Sequence, residues 1–71
     1  MSPQRRLVYD FVELPHVVRM QIVSRLGLSQ ESDGQLPEKD REVLYFRRAQ
    51  ENNLLNELRR EIDMEKLRLT L

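Results

Sequence analysis

Val43-Leu44-Tyr45-Phe46-Arg47-Arg48-Ala49-Gln50-Glu51-Asn52-Asn53-Leu54-Leu55-Asn56-Glu57-Leu58 decides the fold. Val43, Phe46 and Ala49 recur at helical spacing, and Leu44 and Tyr45 widen that apolar face. Asn52-Asn53 breaks the pattern, because asparagine ends or caps helices more readily than it continues them. Leu54, Leu55, Leu58 and Ile62 then resume helical spacing. The stretch predicts one helix over residues 37–51 and another over 54–66, joined at the asparagine pair. Pro37 suits the opening position of the first, and Glu38, Asp40 and Glu42 favour the positive end of its dipole.

Upstream, Leu7, Val8, Phe11, Val12 and Leu14 predict a helix over residues 4–13, with Pro3 in its first turn. Pro15 disfavours helix at Leu14 and opens a second segment, where Val18, Ile22 and Leu26 repeat at steps of four. Gly27 is a candidate for the left-handed residue after that helix, with Leu28 as the hydrophobic contact of a Schellman motif. Residues 29–36 read as a polar connection with Asp33-Gly34 as a turn signal. Met20 and Met64 read as gap fillers in or beside the core. Leu67-Arg68-Leu69-Thr70-Leu71 alternates apolar and polar residues and fits a strand, a continuing helix or a frayed end. The expected architecture is an all-α, compact antiparallel bundle of four to five short helices. Residues 1–66 are expected to form a single helical domain and 67–71 a C-terminal tail.

The chain has 71 residues, 39% hydrophobic and 34% charged, with zero net charge and no cysteine. That is room for one core, without disulfides or thiolate metal sites to hold it. No apolar run approaches the roughly 18 residues of a membrane span, and Met1 to Arg6 lead into no signal-peptide apolar region. A cytoplasmic protein is the expectation, with no membrane contact.

Charge is unevenly spread along the chain. Residues 1–28 hold four bases against two acids, 29–42 five acids against two bases, and 43–71 six bases against five acids. The expected partner-binding surface therefore has two lobes. His16, Arg19 and Arg25 form the basic lobe, and Glu31, Asp33, Glu38, Asp40 and Glu42 the acidic one, with Arg47 and Arg48 joining either a patch or internal pairs. A neutral chain argues against duplex DNA, whose binding needs a basic face. Gln21 to Ser29 looks like the first helix and turn of a helix-turn-helix, but Glu31 and Asp33 follow where a recognition helix would meet phosphate.

Catalytic signatures are missing. His16 is the only histidine and has no sequence-near acid or hydroxyl partner. Gly27 and Gly34 are isolated, so no phosphate loop exists. Ser24 and Ser29 lack a plausible base. The expectation is no enzyme, no cofactor and no metal.

Val18 to Leu28, ending in a Leu-Gly pair, is followed by an acidic linker, a Phe-Arg-Arg-Ala helix and a Leu-x-x-Leu helix. This order resembles the effector-associated domains of bacterial conflict systems, which are death-like helical adaptors. Arg59 and Arg60 depart from the pattern, standing where many relatives carry an aromatic residue. The resemblance implies a death-like fold and an adaptor that couples an effector to its partner through homotypic contacts. The partner would carry a similar helical domain, including a second copy of this chain. The competing expectation is a small helix-turn-helix DNA-binding regulator.

Overall fold

A computed structural model describes residues 2–70. Helix α1 spans Pro3–Val12, α2 His16–Arg25, α3 Glu38–Glu51 and α4 Leu55–Thr70. A short 3-10 helix, Glu31–Gln35, lies between α2 and α3. The described residues form an all-α bundle without strands.

Local chemistry sets each boundary. Ser2 caps α1 by accepting the Arg5 N–H at 3.2 Å, with Pro3 just inside the helix. Pro15 and Pro37 stand immediately before α2 and α3. Gly27 takes φ +68° after α2. The Leu28 N–H donates to Val23 O at 2.9 Å and the Gly27 N–H to Ser24 O at 3.2 Å, the paired bonds of a Schellman motif. The same device closes α3 with asparagine in place of glycine. Asn53 has φ 57°, the Leu54 N–H donates to Ala49 O at 2.7 Å, and the Asn53 N–H to Gln50 O at 3.3 Å. Asn52 assists by donating its side-chain amide to Arg48 O.

The core is Leu7, Phe11, Leu14, Ile22, Val23, Leu28, Tyr45, Ala49, Leu58 and Ile62, with Val18, Met20, Leu26, Phe46, Leu54 and Leu55 packed against it. Phe11 meets Phe46 edge to face at 5.3 Å. Gln4 and Leu7 share a hollow with Gln50 and Leu55, while Glu13 bonds Lys66. Helices α1 and α4 therefore run in the same general sense, with α3 running against α1. His16 lies beside Glu38 and Arg19 beside Glu42, so α2 and α3 also run together. The twelve residues from Leu26 to Pro37 carry the chain back between them.

Two expectations about burial change, and one carboxylate enters the core. Val43 is exposed, because Tyr45 and Ala49 form the inward face of α3 and Phe46 flanks it. Met64 is exposed rather than filling a gap. Glu65 takes the core-facing position one turn after Ile62 and is only 3% exposed. Residues 67–70 continue α4, and the expectation for Leu71 lies outside the described residues.

Candidate protein-docking surface

The expected charged lobes meet each other inside one copy of the chain. Because α2 and α3 start level and run together, the bases of one face the acids of the other. His16 Nδ1 lies 3.2 Å from Glu38 Oε1. Arg19 donates to Glu42 and lies 3.7 Å from Glu38. Arg25 reaches across to α4, 2.8 Å from Glu61 and 3.3 Å from Glu65. The two separated lobes are therefore corrected to a set of internal pairs. Glu31, Asp40 and Arg47 are the expected site residues that stay exposed without an ion pair among the described residues.

Asp33 and Arg48 depart furthest from the expectation of an exposed patch. Asp33 is buried, and its carboxylate accepts two bonds from the Arg48 guanidinium, at 2.6 and 2.9 Å. It also accepts the Gln30 N–H at 2.8 Å. Arg48 Nη1 donates to Leu28 O at 2.7 Å as well. The planar fork thus ties the acidic linker to α3. Arg48, then the Gln30 N–H, hold Asp33 below its ordinary carboxylate range, and Asp33 in turn raises Arg48. This geometry also bears on the helix-turn-helix expectation. The segment after Leu28 is a 3-10 turn with a buried carboxylate, and the next α-helix starts only at Glu38.

A second ionic cluster joins α1 to α4. Asp10 accepts from Lys66 at 2.8 Å and Arg59 at 2.7 Å, and Arg59 also bonds Asp63. Lys66, then Arg59, lower the Asp10 pKa, and Asp10, then Glu13, raise that of Lys66. The departure at Arg59 thereby has a structural use. An open hollow of about 430 Å³ beside this cluster is lined by Arg6, Asp10, Arg59, Asp63 and Lys66. Its charge is largely consumed by these internal pairs.

The surface best suited to a partner is apolar, and lies between α1 and α3. Val8, Val43 and Phe46 line an open groove of about 410 Å³, with Lys39 and Glu42 at its edge. Val8 is 40% and Val43 61% exposed. Val8 and Phe46 continue into a smaller hollow of about 100 Å³ lined by Gln4, Gln50 and Leu55. The helix walls are already ordered by the core beneath them, through Leu7 and Phe11 on α1 and Tyr45 and Ala49 on α3. Sequence reasoning assigned Val8 and Val43 to the core and so missed the groove. The available signal was an apolar face on each helix wider than a bundle of this size can cover. Among the described residues no cluster of three or more metal-ligating side chains occurs, and no helix is long and apolar enough to cross a membrane.

Comparison with known protein families gives a match. Residues 3–64, from the start of α1 into the middle of α4, match the family model of the GTPase-associated adaptor domain. No curated protein and no solved structure gives a significant match to the chain.

Proposed function

The chain belongs to the GTPase-associated adaptor domain family, and on that premise we propose that it couples an effector to its partner in a bacterial defence or signalling system. The family description suggests one side of that coupling, a GTPase-bearing protein. The resemblance to effector-associated domains suggests the other, a partner with a similar helical domain met through death-like, like-with-like contact. The observation that carries the reading is the open α1/α3 groove on a domain whose expected charged patches are largely spent internally. Apolar centres with polar edges are the usual anatomy of protein contacts. We expect the domain to work in the cytoplasm by contact alone, without catalysis, cofactor or metal. Glu31, Asp40 and Arg47 remain the charged site residues free to meet a partner.

The test is calorimetric titration of the purified domain against GTPase-bearing proteins and small helical domains encoded by its genomic neighbours. Saturable binding to one of them is the expected result, and heat-free titrations against all of them would overturn the adaptor role. Random duplex DNA at low salt serves as the second titrant. Salt-dependent binding there would favour the regulator instead.

A further inference from the structure

We infer that the α1/α3 groove receives an acidic amphipathic helix from a partner protein, a reading that rests on the adaptor role proposed above. The groove is bounded by two helices, so a third helix laid between them extends the packing already used in the bundle. Its floor is apolar, from Val8, Val43 and Phe46. Its charge is one-sided. Of the wall-helix bases that make no ion pair among the described residues, Arg6 lines the α1/α4 hollow and Arg41 lies near Asp33, which leaves Arg5, Lys39 and Arg47 for the groove, against Asp40 and Glu51 as the unpaired acids. Lys39 lines the groove itself, Arg47 lies one turn beyond Val43, and Arg5 adjoins Gln4 at the far end. Glu42, the acid at the edge, is already neutralised by Arg19.

A second copy of the chain fits this description poorly. On α4 its exposed apolar stripe is Met64, Leu67 and Leu69, which lies beside Arg60 and Arg68. Docking it would set Arg60 against Lys39 and Arg47, Arg68 being paired with Glu65 at 3.5 Å, and like charges across a contact suppress pairing. A partner helix with glutamate or aspartate flanks supplies the opposite sign. A related helical domain with such a helix would bind in preference to an identical one.

The experiment uses two fluorescein-labelled peptides of about 20 residues, beyond the length at which isolated helices are marginal in water. Both carry leucines at helical spacing, one with glutamate flanks and the other with lysine flanks. Polarisation is read against the full chain, together with amide chemical shifts of the labelled protein. Binding of the glutamate peptide about tenfold tighter, weakening with salt, is expected. The shifts should map to Val8, Lys39, Val43 and Phe46. Val43→Asp should abolish that binding, and because Val43 is exposed the fold should survive. Lys39→Glu with Arg47→Glu should reverse the preference between the peptides. Equal binding of both peptides, binding of neither, or shifts confined to α4 would overturn the inference. So would self-association that Val43→Asp removes and the glutamate peptide does not compete. A natural partner still bound by Val43→Asp would overturn the groove while leaving the adaptor role standing.

Discussion

Gly27 and Asn53 hold the two left-handed turns that end α2 and α3. A Cβ on Gly27 would meet nothing within 4 Å, so its substitution costs only the backbone conformation. Gly27→Ala is expected to lower stability by about 1 kcal/mol, read as a shift in denaturant midpoint with unchanged slope. Asp33 and Asp10 make pH predictions. Both carboxylates have folded pKa values below the ordinary 3.8. Their stabilisation is therefore present above that value and lost as pH falls through the lowered one. Lys66 has the opposite sign, contributing below 10.5 and losing its contribution as pH rises through the raised value. Thermal melts should show the wild-type midpoint falling below about pH 4, and Asp33→Asn should flatten that fall. An unchanged acid limb in Asp33→Asn would remove the clasp from the account of stability.

At the scale of elements, pairing of α2 with α3 turns Arg19 into a structural residue. Arg19→Glu places a third carboxylate against Glu42 and Glu38. It should reduce the melting temperature, whereas Arg19→Met should recover part of the loss by retaining the packed stem. Differential scanning calorimetry on both variants checks this ordering. The end of α4 is the contrary case. Beyond Glu65 the described side chains are exposed or half-buried, and Leu67 and Leu69 are more than half exposed. Truncation after Lys66 should cost less than about 1 kcal/mol, and circular dichroism should lose only the signal of the removed turn.

The elements were largely legible in the sequence and their faces were not. Pro15, Gly27, Pro37 and the asparagine pair act locally, so helix ends could be placed from composition alone. Pro37 precedes α3 instead of opening it, a shift of one residue. Val8, Val43 and Met64 share periodicity with buried neighbours. Which of them is covered depends on how the helices cross, and that is a property of the assembled core. The charged residues failed for a related reason. Arg48 meets Asp33 fifteen residues away and Arg25 meets Glu65 forty away. A charge tally along the chain treats such residues as free.

For the whole molecule, the limiting quantity is size. A chain of 71 residues buries only about 60% of its unfolded surface, so each core side chain carries a large share of stability. Ile62 is completely buried. Ile62→Ala is expected to cost about 2–5 kcal/mol, comparable with the whole stability of a domain this small. Urea titration should find the variant substantially unfolded without denaturant, and a fully cooperative native baseline would contradict that.

One guanidinium, that of Arg48, decides whether the twelve-residue bridge from α2 to α3 behaves as part of the body or as a loose strap. Its loss would leave the helical spectrum almost intact while opening the bridge to enzymes that cut peptide bonds. Glu31, already at the surface, would become the first place nicked by a glutamate-directed protease in Arg48→Met. The two fragments would still travel together, held by the core, until a denaturing gel separated them.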